Sequence, residues 1–358
     1  MRRRATCESG PAKVDIRQVA EEAGVSTATV SRTLSGRGPV NDATQQRVLL
    51  AAERLNYLPS AAAQSLRTER AMIIGVLVPD LGNPVFVPFL RGVQHVAQSC
   101  GYSVLVVDAQ RSIAIEHQAL DRLRAHGVDA LVLAGPARDA ARVEELRRAG
   151  VVVMDPDRVG SSGASLIDEL EQPGTWEMCE TLAELGHRRV AYVSREKVPG
   201  RAGHRRLRAM SHRSETLGVE IERVVLGRRD SAGIGALVAD VVRRPEPVSA
   251  LVCSTHGLVP SLLRGLRSAG IDMPGECSFV TYGDSEWAEA YRPAISVVSL
   301  DLYAVGVDVA TSGIRLLASA TTPPAVGAPV ADRRPLQARF LRRESIGPVP
   351  GGRARSFI

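Results

Sequence analysis

Between residues 72 and 340, short aliphatic runs alternate with amphipathic stretches of helical length, and this alternation leaves few folds open. Ile73–Val78, Ser103–Val107, Asp129–Leu133, Val151–Met154, Val190–Val193, Ala250–Cys253 and Ser278–Thr281 are nearly continuous apolar runs. Strands covered on both faces, as in parallel sheet, have this character. Pro88–Ser99, Glu116–Arg124 and Gly257–Ala269 lie between them, long enough to carry the chain back across the sheet as right-handed βαβ crossovers. The expected class is therefore α/β with parallel sheets. An aromatic content of 4% suits aliphatic strands better than an aromatic-rich sandwich. A length of 358 residues is enough for two or three domains.

The first sixty residues read differently. Ile16–Glu22, Ser26–Leu34 and Asp42–Asn56 carry helical patterns, the first with Ile16, Val19, Ala20 and Ala23 along one face. Gly24 breaks that helix, Val25 plugs the turn, and Ser26 is a suitable N-cap for the next. Two helices joined by so short a glycine turn form a helix-turn-helix. VSTATVSRTLSG, Val25–Gly36, would be a poor isolated helix, because serines and threonines compete with their own backbone. Helical spacing turns Ala28, Val30 and Leu34 inward and leaves Thr27, Thr29, Ser31 and Arg32 largely outward. Short hydroxyls let a helix approach phosphates, and arginine reaches a guanine edge with two hydrogen bonds, so DNA is the partner that such a face suits. Asn41 is placed to cap a third helix, whose Val48, Ala51, Ala52 and Leu55 complete a small core.

Charge agrees with that partner. Residues 1–70 hold eleven cations against seven anions, a surplus of four out of the chain's +6. The opening MRRRATCESGPAK has no apolar segment after its arginines, and no stretch has the apolar length of a membrane span. A disordered basic arm over 1–13 and a cytoplasmic location are expected. The five cysteines, Cys7, Cys100, Cys179, Cys253 and Cys277, have no paired spacing; they read as buried thiols rather than a disulfide framework or a zinc site.

Pro59 can open a short helix over Ser60–Leu66, followed by the charged connector Arg67–Arg70. Two turns are marginal in water, so this segment is expected to order only on a partner that compensates for the lost entropy. Leu66, between Ser65 and Arg67, suits a wedge in a minor-groove base step, or packing against a second copy.

VDIRQVAEEAGVSTATVSRTLSG followed by NYLPSAAAQSLRT resembles the headpiece and hinge helix of the lac-repressor (LacI/GalR) family of bacterial transcription regulators. IIGVLVPDLGNPVFVPFLRGVQ, LAELGHRRVAYVS, LRSAGIDMPGECSFVTYGDSEWA and FLRRES follow in the family's order. The resemblance implies an all-α helix-turn-helix headpiece over 14–57 and a hinge helix and linker over 58–71. A two-lobed α/β core like that of periplasmic sugar-binding proteins then spans 72–345. Its N-lobe would take 72–170 and 300–330, its C-lobe 171–299 and 331–345, with a flexible tail over 346–358. It also implies a homodimer on a pseudo-palindromic DNA operator. Thr27, Ala28 and Arg32 would face bases, and Ser26, Thr29, Ser31 and Asn41 phosphates. Ala63 and Leu66 would lie in the hinge, and a small-molecule effector, a sugar or sugar derivative, in the interlobe cleft.

Carried over position by position, the cleft set implied is Asp80, Asn83, Phe86, Arg206, Thr255, His256, Asp284 and Trp287. Several family positions are altered. Thr255-His256 stands where an Asn-Asp pair is frequent, Gly283-Asp284 where two aspartates are, Ala209 replaces a glycine, and Glu169 replaces an asparagine. Each residue has a plainer role available: Asp80 as a turn cap before Gly82, His256 as a helix-start residue, Trp287 as core packing, and Arg206 on a solvated face with Arg201, Arg205 and Arg208.

Enzyme chemistry finds no foothold. H-E-x-x-H, the P-loop and G-x-S-x-G are absent, GSSG at Gly160–Gly163 has the wrong spacing, and Glu116-His117 offers no metal-ligand spacing. GIGALV at Gly233–Val238 lacks the third glycine of a dinucleotide fingerprint, follows no clear strand, and reads as a helix start in a loop region. A DNA-binding regulator, a repressor without enzyme activity, cofactor or metal, is the reading of the whole. Its rivals are a regulator with no small-molecule effector and an exported ligand-binding protein.

Overall fold

The computed structural model describes residues 14–35, 39–57, 70–135, 139–157, 165–195, 202–227, 231–319 and 336–349. The chain divides into two compact units, Met1–Ala71 and Met72–Ile358.

In the first unit, α1 (Ile16–Ala23), α2 (Thr27–Ser35) and α3 (Asp42–Arg54) enclose Val19, Ala20, Ala23, Val30, Val48, Ala51 and Ala52. Asp15 and Gln18 form a reciprocal capping box at the start of α1. Gly24 ends the helix at φ 63°, a left-handed conformation that favours glycine. The α3 helix stops at Arg54, short of the expected Asn56, because Asn56 itself turns left-handed at φ 48°.

The second unit contains two sheets. In the first, β1 (Ile73–Val78) lies between β2 (Ser103–Asp108) and β3 (Ala130–Leu133), and β4 (Val152–Met154) follows β3, all parallel. The helices α4 (Phe86–Ser99), α5 (Ile113–Ala125) and α6 (Ala140–Arg148) connect its strands. The second sheet runs β10-β9-β8-β7-β5-β6. Its strands are β5 (Arg189–Ser194), β6 (Glu220–Val225), β7 (Ala250–Cys253), β8 (Ser278–Tyr282) and β9 (Ser296–Ser299), all parallel, with β10 (Arg339–Leu341) antiparallel at one edge.

Three of these strands escape the sequence reading. The β6 strand, EIERVV, interleaves charges because it is an edge with one wet face, and β9 and β10 are only four and three residues long. GIGALV is the helix start expected, lying in the first turns of α9 (Ser231–Arg243), but it does follow a strand, β6. It crosses α10 (Val259–Ser268) at Gly265, where a Cβ would stand only 3.0 Å from Ile234, whereas one on Gly235 would meet ordinary contacts. Cys179, Cys253 and Cys277 are buried as expected, whereas Cys100 is exposed.

The lobes share chain segments. In α7 (Leu166–Glu184), Ile167 and Leu170 pack on the first lobe's core, and Met178, Cys179 and Leu182 on the second's, with Pro173 between them. After α11 (Glu286–Ala290) and β9 the chain returns to the first lobe as α12 (Leu302–Ser319). There α4 and α12 touch backbone to backbone. A Cβ on Gly92 would collide with the Tyr303 carbonyl, and one on Gly306 with that of Phe89.

Candidate nucleic-acid interface and ligand cleft

Ser26 opens α2 as expected, its Oγ accepting the Thr29 amide at 3.2 Å and lying 3.0 Å from the Thr29 hydroxyl. Thr27, Ala28 and Arg32 are exposed, and Thr29 and Ser31 half-buried. Ala28 therefore does not join Val30 in the core, contrary to its helical spacing. Thr33, among the hydroxyls of this stretch, is the one that points inward. Asn41 caps α3, accepting from the Ala43 amide at 2.9 Å. Val25, Ser26, Thr29, Arg32, Pro39, Val40, Asn41 and Thr44 border one shallow surface depression. Ala63 and Leu66 lie outside the described residues.

The cleft is a cavity of about 250 Å³ between the lobes, at the carboxyl ends of their strands. Asn83, Phe86, Arg206, Thr255 and His256 line it, as the resemblance implies. Three implied residues do not. Asp80 accepts the Gly82 amide at 2.9 Å and stands 4.0 Å from Arg111, which makes it a turn cap. Asp284 is held by both terminal nitrogens of Arg343 at 2.8 Å. Trp287 sits behind His256, ring centroids 4.9 Å apart, and packs into the second lobe's core.

The interior charges are already paired. Arg206, on α8 (Ala202–Thr216), donates through Nε to Glu171 Oε2 at 2.6 Å and through Nη2 to Glu171 Oε1. Its Nη1 donates to the Ser254 carbonyl at 2.8 Å, and its guanidinium lies 4.6 Å from the centre of the Tyr282 ring. Burial works against this charge, but the Glu171 carboxylate more than offsets it, and the Arg206 pKa moves further up. The neighbouring Arg205 does not face solvent either. It reaches across to Asp157, which follows β4 of the first lobe, and donates through Nε to Asp168 at 2.7 Å. Burial pushes the Asp157 carboxyl up from 3.8 to about 6 despite Arg205.

Other polar atoms in the wall have no hydrogen-bond partner. Ser194 Oγ, at the end of β5, and His204 Nδ1 are buried and unbonded. His256 bonds through Nε2 to the Ser285 hydroxyl at 3.1 Å, and burial lowers its pKa, so the imidazole is neutral. Asp157, Glu171, Ser194 and His204 were missed from the sequence. Glu171 alone left a trace, two residues beyond the altered Glu169.

Residues 15–60 match the model of the bacterial regulatory proteins of the lacI family, and residues 179–346 that of the periplasmic binding protein-like domain. The chain is a member of the lacI family.

This lacI-family chain is 27% identical to the HTH-type transcriptional regulator RegA of Clostridium saccharobutylicum over 308 residues, covering 84% of the chain and 92% of the relative. It is 24% identical to catabolite control protein A of Priestia megaterium, covering 82% and 89%. With the HTH-type transcriptional repressor CytR of Escherichia coli it shares 25% identity, covering 81% and 86%. In fold it is similar to the lac repressor dimer solved with operator and the anti-inducer ONPF, with TM-score 0.74, 21% identity, and coverage of 94% and 99%. A lacI-family regulator from Silicibacter pomeroyi superposes with TM-score 0.71 at 24% identity, covering 93% and 99%. It follows that the chain is a DNA-binding transcriptional regulator with a helix-turn-helix and a periplasmic-binding-protein-like α/β core. Among the described residues no helix is long and apolar enough to cross a membrane, and no cluster of side chains could hold a metal.

Proposed function

We propose that this regulator works in the cytoplasm as a homodimeric repressor on a pseudo-palindromic operator, and that a small molecule bound between its lobes controls it. Two α2 helices enter successive major grooves, with Thr27, Ala28 and Arg32 at base edges and Ser26, Thr29, Ser31 and Asn41 at phosphates. Residues 58–71 act as the hinge, with Ala63 and Leu66 in the minor groove. A ligand touching Asn83, Phe86, Arg206, Thr255 and His256 changes the relation between the lobes, and so couples the two sites through its differential affinity for the two states. One observation carries this reading: an exposed Thr27, Ala28 and Arg32 face in one compact unit accompanies a cavity with unbonded polar atoms in the other.

Selection of bound duplexes from a random library at near-physiological salt tests it, because low salt alone produces non-specific binding. Enrichment of a pseudo-palindrome with a deformable centre is the expected result. Binding without sequence preference, with and without added cell metabolites, would overturn it. A regulator without a small-molecule effector is the second reading, favoured by one observation: the polar side chains at the cleft satisfy one another, Asp157 with Arg205 and Glu171 with Arg206.

A further inference from the structure

The lobes meet in two different ways. Where the loop after β1 rests on the second lobe, the contact is ordinary packing: Asn83 lies against Gly257, and a Cβ on Gly283 would stand 2.9 Å from a Val85 methyl. Elsewhere the contact is ionic and dry. Arg205 belongs to α8, whose Leu207 and Met210 pack on the second lobe's core. Its guanidinium reaches Asp157, just after β4 of the first lobe, and donates through Nε to Asp168 Oδ1 at 2.7 Å. Asp168 stands in the first turn of α7, where Ile167 and Leu170 pack on the first lobe's core. The Arg205 and Asp157 side chains are 4% and 6% exposed. Ser165 supports both acids, its hydroxyl 3.5 Å from Asp157 Oδ1 and its amide donating to Asp168 Oδ2 at 2.9 Å. Taking such charges out of water is costly, and their mutual attraction does little more than return the cost. A buried ionic group therefore fixes one arrangement better than it adds stability. The arrangement fixed here is that of the two lobes, because opening the cleft would let water reach the acids.

We propose that Arg205, Asp157 and Asp168 form an ionic latch that holds the lobes closed without any ligand, and that mild acid releases it. Burial raises the Asp157 carboxyl from 3.8 to about 6, with Glu171 and Asp168 pushing the same way and Arg205 and Arg206 against them. Two other titratable groups lie close by: Asp155, which accepts the Asp157 amide at 3.2 Å, and His204, which precedes Arg205 and lines the cavity. Protonation of Asp157 removes one of the two charges that hold Arg205. At neutral pH the chain's own residues thus set the equilibrium between closed and open lobes, and anything that enters the cleft acts on that equilibrium.

The test needs neither operator nor effector, so it can fail without touching the function proposed above. In the full-length protein carrying Cys7→Ser, one fluorophore goes on Cys100, exposed just beyond α4, and the other on Glu215→Cys, exposed near the end of α8. Cys179, Cys253 and Cys277 are buried and stay unlabelled. Dilution with unlabelled protein keeps each pair within one chain, and circular dichroism checks that every variant is folded. Single-molecule energy transfer at about pH 7.5 is expected to give one separation, with any longer one held by fewer than about a tenth of the molecules. At about pH 5 the longer separation should become the major population. Asp157→Asn, which keeps the shape of the carboxyl group, should show the longer separation at both pH values, and so should Arg205→Met. A single separation unchanged in Asp157→Asn overturns the latch even where Arg205→Met fails to fold. A longer separation already dominant in the unaltered protein at about pH 7.5 overturns it as well. A pH response that survives in Asp157→Asn overturns the release by Asp157 and moves it to another group, His204 or Asp155.

Discussion

On α2 the groups that reach outward, Thr27, Ala28 and Arg32, come from six consecutive residues, and the helix that presents them is capped by its own Ser26. In the cleft, Glu171, Ser194, Arg206 and His256 come from α7, β5, α8 and the 3-10 turn after β7, and Glu171 cancels the charge of Arg206. One surface keeps its charge for a highly charged partner in high dielectric. The other hides its charges in matched pairs, as a low-dielectric interior requires.

The largest expected effect breaks the buried pair. Glu171→Ala leaves Arg206 charged and unpaired in the interior, and should lower unfolding stability by about 3–5 kcal/mol in denaturant melts, well beyond Glu171→Gln. No loss in either variant would mean that the pairing does not matter.

Next comes acidification. Asp157, raised by burial from 3.8 to about 6, holds its proton more tightly folded than unfolded, so its contribution to stability is present at low pH and lost as pH rises through about 6. His187, bonded to Ser249 and the Gly347 carbonyl, is lowered by burial from 6.5 to about 4; its contribution is present above 6.5 and lost as pH falls through about 4. Each is worth about 3 kcal/mol and the two slopes oppose. Relative to the unaltered protein, Asp157→Asn should therefore lose stability between pH 6.5 and 4.5, and His187→Gln should gain it, as read by melts at the two values. Slopes of the same sign in both variants would contradict this account.

Arg32→Ala sharpens the contrast from the other side. It should weaken binding at the cognate site by about 1–3 kcal/mol and relax preference at one base pair. Because the residue is exposed, stability should move by less than about 0.5 kcal/mol. Uniform weakening on all sequences would reassign Arg32 to phosphate. Smallest is Ser26→Ala, which removes a cap and should lower the thermal stability of the first unit by about 1 kcal/mol.

Legibility in the sequence follows the same divide. Capping and turn signals act over three or four residues, so Gly24, Ser26 and Asn41 could be placed from the sequence, whereas the Asp15 cap was not read. Aliphatic strands such as β1 and β7 were equally plain, because burial on both faces leaves an unbroken apolar run. Ala28 was misread because a methyl group fits either side of a helix. The cleft required partners far apart in the chain. Nothing near Arg206 signals Glu171, thirty-five residues earlier, and nothing near Asp284 signals Arg343, fifty-nine residues later. Arg205 was placed on a wet face by its arginine-rich surroundings, whereas two aspartates from other segments draw it inside.

The glycine contact between α4 and α12 bears on how the protein is made. The first lobe's core includes Val305, Val309, Ala310 and Leu317, more than 140 residues beyond β4. A chain emerging from the ribosome has all four strands of that lobe early, but it must hold them with one face covered by α4 alone until α12 has been synthesised. The lobe that begins first thus closes after the strands β5–β9 of its neighbour, and a nascent chain halted before Leu302 would expose the Gly92 side of α4 to whatever chaperone or fellow chain is nearest.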